Sequence, residues 1–320
     1  MRPGFLAALL AGSMLALAGC GGESPTTNDP SVRSIAKPRL GAVLPMFSHP
    51  FFIAQKRGLQ ERAGEMGLEI DIRDGQDDDL KQIGQVEALL NTGIEALILC
   101  PRDEAAAIPA VEAANRAGVP VITLNRRVKG GKVVAYVGAD DAEGGREQGK
   151  ALVEALGAQG GKIIYLQGTQ GSSPQISRNQ GLREVLSKHP EIEVADDRFT
   201  NFSEDKAKSV MSDLVRRFTP GQIRAIVAQA DELAVPAAEV ARGDGWKEVL
   251  VIGFNGNTTA FAAIRAGTLY ATVLQDPVVQ GRRAVEIAAE HLTGEKVPAE
   301  VITPLPLVTK SNIDKHAPAY

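Results

Sequence analysis

From Arg39 onward, short β-branched runs alternate with longer stretches whose apolar residues recur at helical spacing. Residues 40–44 are continuously apolar and predict a buried strand. Residues 51–66 place Phe52, Leu59, Ala63 and Met66 near one face and stop at Gly67, where a glycine just past a helix belongs. Strands are predicted at 68–72, 94–99, 119–124 and 133–137, with helices at 82–90 and 105–117. The pattern then starts again. Helices are predicted at 142–156, 177–188, 206–218, 232–242, 258–265 and 278–292, and strands at 162–166, 192–195, 223–228, 249–253 and 269–274. A proline-broken extended tail follows at 301–308. Such alternation implies parallel sheets with helices on both faces, and two rounds of it imply two lobes. Open sheets of this kind bind ligands beyond the carboxyl ends of their strands, and a cleft between lobes is a natural pocket.

The first 38 residues stand apart. Arg2 precedes an apolar run over residues 5–17 that ends in Leu17-Ala18-Gly19-Cys20. The run is shorter than the roughly 20 residues a membrane-spanning helix needs, so it predicts a secretory signal peptide over 1–20. Its end resembles the bacterial lipoprotein box, which implies lipidation at Cys20 and attachment to a membrane in the periplasm or at the cell surface. An ordinary cleaved signal with an incidental cysteine is the other reading. Residues 21–38 are rich in Gly, Ser, Thr and Pro and suit a flexible tether. The second cysteine, Cys100, closes an apolar run and is expected as a buried thiol. A net charge of −4 leaves no basic excess for a nucleic-acid partner.

Aromatics make up only 4% of the chain, which draws attention to Phe51 and Phe52 in the loop after the first strand. An aromatic face can pack on the C–H surface of a sugar ring. Phe52 reads equally as core. Asn125 and Arg126 leave the carboxyl end of another strand and can bond hydroxyls; Arg127 beside them is expected to face solvent. Asn255 and Gln275 each put an amide at a strand end, and amides suit polyols because they both donate and accept. Asn255 also fits an Asx turn, and Asp276 with Pro277 reads as a helix N-cap and first position. Catalytic motifs are weak. The run from Gly168 to Ser173 lacks phosphate-loop spacing, G-x-S-x-G is absent, and the four histidines show no metal spacing. Asp77, Asp78 and Asp79 read as a charged helix start rather than a calcium loop. No enzyme, metal or cofactor is expected.

The segments His49-Pro-Phe-Phe52, Val121-Ile-Thr-Leu-Asn-Arg126, Ala228-Gln-Ala-Asp-Glu-Leu233, Val251-Ile-Gly-Phe-Asn-Gly256 and Ala271-Thr-Val-Leu-Gln275 together resemble the ribose- and galactose-binding periplasmic proteins of ATP-binding-cassette sugar importers. The resemblance implies two flavodoxin-like, doubly wound lobes joined by three crossing strands near Ala139, Gln275 and Thr303. It implies an N-terminal lobe of 39–139 plus 276–304 and a C-terminal lobe of 140–275 plus 305–320. It also implies ligand contacts at His49, Phe51, Phe52, Asn125, Arg126, Ile176, Phe202, Ala230, Asn255 and Gln275. Several of these depart from the family pattern. Its two site carboxylates are Asn125 and Asn255 here, its arginine falls at Ile176 with Arg178 nearby, and its asparagine is Ala230.

The expectation is therefore a monomeric solute-binding lipoprotein that captures a small sugar-like solute and passes it to membrane permease subunits. The ligand would have fewer hydroxyls, or an acid group that pairs with Arg126. A sensing accessory for a chemoreceptor or kinase shares this architecture. So does a sugar-responsive repressor, which would need a DNA-binding element where the signal and tether stand. A periplasmic enzyme is the remaining alternative.

Overall fold

The computed structural model of the chain describes residues 38–320. The expected signal peptide, Cys20 and the tether up to residue 37 lie outside them. Along the chain come β1 (Arg39–Leu44), α1 (Pro50–Glu65), β2 (Glu69–Asp74), α2 (Asp79–Asn91), β3 (Ala96–Leu99), α3 (Ile108–Arg116), β4 (Val121–Leu124), β5 (Ala135–Ala139) and α4 (Asp141–Leu156). Next are β6 (Gly161–Gln167), α5 (Ser173–Leu186), β7 (Ile192–Phe199), α6 (Glu204–Arg217), β8 (Ile223–Ala228), α7 (Asp231–Gly243), β9 (Leu250–Asn255) and α8 (Thr258–Ala266). Last are β10 (Ala271–Leu274), α9 (Pro277–Leu292), β11 (Glu300–Thr303) and β12 (Leu307–Thr309).

These strands form two six-stranded sheets, ordered β11-β5-β4-β3-β1-β2 and β12-β10-β9-β8-β6-β7. Each sheet carries helices on both faces. In the first lobe α1 and α9 pack on one side, with Leu59, Val285 and Ile287, and α2 and α3 on the other, with Val86, Leu89 and Val111. In the second lobe α4 and α5 cover one side and α6, α7 and α8 the other. All pairings are parallel except β10 with β12, which is antiparallel at the sheet edge. The fold is that of a type I periplasmic binding protein, two α/β lobes with parallel sheets. The chain passes between the sheets after Ala139, after Leu274 and after Thr303.

Of the element boundaries that depart from the apolar pattern, three have a clear local cause. The strand expected at 192–195 continues to Phe199. Asp196, Asp197 and Arg198 carry no apolar signal, but β7 is an edge strand, and edges tolerate charge. Arg198 bonds Asp196 at 2.5 Å and Arg183 bonds Asp197 at 2.6 Å. The helix expected from 177 begins at Ser173, because Pro174 occupies the first turn, where its missing N–H costs nothing. The helix expected from 105 begins at Ile108, after a turn in which the Asp103 carboxylate accepts from the Ala105 and Ala106 amides, each at 2.8 Å. Cys100 is fully buried after β3. The aspartate run starts α2 as expected, with Asp78 capping it, while Asp77 and Asp79 also grip Arg102 at 3.0 and 2.9 Å.

Both lobes rest on the same kind of close helix crossing. A Cβ on Gly58 of α1 would fall 2.2 Å from the Val278 carbonyl oxygen of α9, and one on Gly145 of α4 2.2 Å from that of Arg178 in α5. No side chain fits at that distance, so the helices must separate to admit one. Gly58→Ala and Gly145→Ala are each expected to lower stability by about 1–3 kcal/mol, the range for overpacking. Equilibrium urea unfolding measures this directly, and an unchanged midpoint for either variant would refute the crossing argument.

Candidate functional site

The carboxyl ends of the two sheets face each other across a small cavity of about 30 Å³. The first lobe supplies His49, Phe51 and Phe52 from the loop after β1, and Asn125 and Arg126 from the end of β4. The second lobe supplies Pro174 and Arg178 from α5, Phe202 from the loop after β7, and Asn255 from the end of β9. Gln275 lies on the crossing after β10. Asn125, Phe202 and Asn255 hold positive φ angles of 60°, 55° and 114°. Asparagine visits that region readily; a phenylalanine there is strained, and such strain clusters at functional sites.

His49 caps α1. Its Nδ1 accepts from the Phe51 amide at 3.2 Å. Burial pushes its pKa below the ordinary 6.5, so the ring is neutral and its proton sits on Nε2. That Nε2–H is buried and meets the Phe202 backbone only at longer range than a normal hydrogen bond. Phe51 and Phe52 meet edge to face with centroids 5.4 Å apart. Phe51 also meets the ring of Tyr320, near the chain's end, at 5.8 Å.

The site's two arginines differ in one respect. Arg178 places Nε and Nη2 each 2.8 Å from Asp141 Oδ1, donates Nη1 to the Gln229 carbonyl at 2.6 Å, and stacks on Phe254. Its charge is neutralised within its own lobe. Arg126 is 3% exposed and donates only Nη1, to the carbonyls of Pro101 and Arg102 at 3.3 and 3.1 Å. Its guanidinium lies 5.2 Å from the Phe52 ring centroid and 5.7 Å from that of Phe202, one ring from each lobe.

The amides form a chain. Asn255 donates Nδ2 to Glu232 at 3.0 Å, and its Oδ1 accepts from Gln275 Nε2 at 2.8 Å. Gln275 Oε1 accepts from Asn125 at 3.4 Å and from Gln280 at 3.3 Å. Asn125 also donates to Gln280 Oε1 at 3.2 Å. Gln280 donates on to Thr303, whose hydroxyl donates to the Gly138 carbonyl. At the other end the Tyr320 hydroxyl donates to Glu232 at 2.6 Å.

Eight of the ten residues singled out from the sequence thus line one cavity. Ile176 and Ala230 do not. Ile176 is 36% exposed on α5, and Ala230 is packed in the second lobe's core at the start of α7. Arg127, expected to face solvent, is half-buried, stacks 3.8 Å from the Tyr136 ring centroid and bonds Glu300. Glu232, Gln280 and Tyr320 were not anticipated. None sits at the carboxyl end of a strand, and each reaches the site only through the tertiary fold.

Two lobes that present amides, arginines and aromatic rings to a shared cleft define a solute-binding protein of the type I class. The chain matches the family model described as a periplasmic binding protein domain over residues 40–296, and it belongs to that family. It is 34% identical over 299 residues to the ribose import binding protein of Bacillus subtilis, covering 93% of this chain and 96% of that one. It is similar to a solved transporter solute-binding protein of Mycobacterium smegmatis with bound glycerol, with TM-score 0.83 and 32% identity, covering 87% of this chain and 96% of that one. It is also similar to the Caulobacter myo-inositol binding protein bound to myo-inositol, with TM-score 0.81 and 28% identity over 87% and 95% of the two chains.

His49 makes stability pH-dependent with a definite sign. A folded pKa below the unfolded value of 6.5 means that the unfolded chain binds more protons as pH falls through that window. Stability is therefore present above pH 6.5 and lost below it. His49→Asn keeps an N-cap oxygen but cannot take up a proton. Melting temperatures followed from about pH 7.5 to about pH 5.5 should fall less steeply for this variant than for the parent. Parallel curves would rule out His49 as the source.

Proposed function

We propose that this chain is an extracytoplasmic, lipid-anchored solute-binding protein. It captures a small sugar or sugar-like polyol between its lobes for the permease of an ATP-binding-cassette importer. The observation that carries this reading is the convergence of aromatic and amide side chains from both lobes on one cavity. Aromatic rings suit C–H faces and amides suit hydroxyls, which together describe a polyol. Relatives named for ribose import and for bound myo-inositol support the same ligand class and a binding role without catalysis. The ligand contacts in this reading are His49, Phe51, Phe52, Asn125, Arg126, Phe202, Asn255 and Gln275. The signal over 1–20, the lipid on Cys20 and a monomeric state complete it.

Capture works by closure of two bodies, residues 39–139 with 276–304 against 140–275 with 305–320. A ligand that touches both favours the closed state by its differential affinity for it. The structure has the lobes in contact. The Glu104 amide donates to the Gly171 carbonyl at 3.1 Å, and the Arg127 amide to Ser173 Oγ at 2.8 Å. Gly171 has φ +87°, and a Cβ there would fall 1.9 Å from Asp103 Oδ2 of the opposite lobe.

Three measurements bear on this. A thermal-shift panel of pentoses, hexoses and polyols should contain a stabilising member, since a ligand at 100 times its Kd adds about 2.7 kcal/mol. Gly171→Ala should bind that member about tenfold or more weakly and lose the compaction seen by small-angle scattering, because its side chain blocks closure. Equal affinity and equal compaction would eliminate closure as the mechanism. Cys20→Ser should move the protein from the membrane fraction to the soluble one; retention would exclude the lipid anchor.

A further inference from the structure

We infer that the solute is a sugar acid, a polyhydroxylated carboxylate such as an aldonate or a uronate, whose carboxylate is held by Arg126. This rests on the reading of the cleft as a sugar site and narrows its ligand class.

The first ground is charge. Arg126 and Arg178 are the two formal charges among the lining residues, and Asp141 neutralises Arg178. The other carboxylates near the cleft are engaged. Glu232 accepts from Asn255 and Tyr320, and Asp77 from Arg102. Cys100, near Arg126, is pushed up to about 12 by burial and stays a neutral thiol. Arg126 therefore bonds no carboxylate directly; the negative charge nearest to it is Asp77, which shares Arg102 with Asp79. An isolated buried charge costs several kcal/mol, so a closed state that contains one calls for an anion.

The second ground is geometry. The Nε and Nη2 of Arg126 meet no acceptor among the described residues, and Nε is fully buried. Those two N–H groups are the parallel fork that grips a carboxylate with two bonds. The same fork is seen in this protein where Arg73 donates Nε and Nη2 to the two oxygens of Asp71 at 2.7 and 2.6 Å. Arg198 holds Asp196 the same way.

The third ground is donor balance. His49 Nε2–H is a second buried donor without a close acceptor, the Phe202 backbone lying beyond normal hydrogen-bond length. Asn125 Nδ2 is already committed to Gln275 and Gln280. Against the Arg126 and His49 donors the cleft keeps one uncommitted amide acceptor, Asn125 Oδ1, and no carboxylate free to accept from hydroxyls. A neutral polyol brings a donor with every acceptor, whereas a carboxylate brings acceptors alone.

The test is calorimetric titration of the purified chain with matched pairs: D-ribose and D-ribonate, xylitol and xylonate, D-galactose and D-galacturonate. At least one acid should bind tenfold or more tightly than its neutral partner. That gap should close in Arg126→Met and be only partly kept in Arg126→Lys, which retains charge but loses the fork. Arg126→Met should melt at or above the parent temperature without ligand, since it removes an unpaired buried charge. Binding of the neutral members with equal or higher affinity would overturn the sugar-acid inference and leave the sugar-binding reading intact. Binding of neither set would overturn both. A gap that survives in Arg126→Met would place the acid elsewhere and overturn the role of Arg126.

Discussion

The cleft depends on one buried chain of side-chain hydrogen bonds that ties the three crossings together. It runs from the Gly138 carbonyl through Thr303, Gln280, Gln275 and Asn255 to Glu232, and touches the ends of β5 and β11 and the segment after β10. Both ends can only accept. A carboxylate at Glu232 obliges Asn255 to present nitrogen, which turns its oxygen to Gln275. A carbonyl at Gly138 obliges the Thr303 hydroxyl to donate, so it accepts from Gln280. The two constraints meet at Gln275 and Gln280 without conflict, and each amide is left with one orientation. Satisfied networks of this kind specify a single arrangement, and a half-satisfied one is costly in a low-dielectric interior. The polarity of the site is thus decided partly by Glu232, a helix residue that is not among those lining the cavity.

The lobes share a construction that makes such a chain effective. In each, the strand order reverses where β1 or β6 meets its neighbours, and the loops leave the carboxyl edge there toward the opposite lobe. Close glycine crossings between α1 and α9 and between α4 and α5 keep each lobe stiff. In the closure proposed above, motion would be confined to the short segments between sheets, where the amide chain lies. Two stiff bodies with a polar waist can change angle without repacking either core, which suits hinge motion better than shear.

Much of this was legible along the chain because it follows from apolar periodicity. The buried strands β1, β3, β4, β8 and β9 are near-continuous apolar runs, and the loops after them are where an open parallel sheet must bind. The outer part of β7 was not legible, since an edge strand satisfies Asp196 and Asp197 with arginines instead of burying apolar groups. Ile176 shows the limit of transferring a position by resemblance. It lies two residues from Arg178 on α5, a turn of about 200° around the helix axis, so the two face opposite ways. Pro174 and Arg178, four apart, share the face that meets the cavity. Ala230 faces the core because it starts α7 beneath the sheet edge. Gln280 and Tyr320 act through tertiary proximity to residues far away in sequence, and no local pattern encodes that.

The contrast between the two arginines connects electrostatics to motion. Arg178 is paired within its own lobe, so it carries its counter-charge with it. Arg126 belongs to the first lobe, yet one of the two rings flanking it, Phe202, comes from the second. Bringing Phe202 over the guanidinium removes water from a charge that has carbonyl partners on Nη1 only. Two aromatic faces recover a part of that desolvation through their negative quadrupoles, about 0.5–2 kcal/mol each. An acceptor bound at the free edge recovers far more, because charge-assisted bonds strengthen as water leaves. In the proposal that Arg126 holds an anion, closure around a filled cleft is favoured over closure around an empty one by that difference.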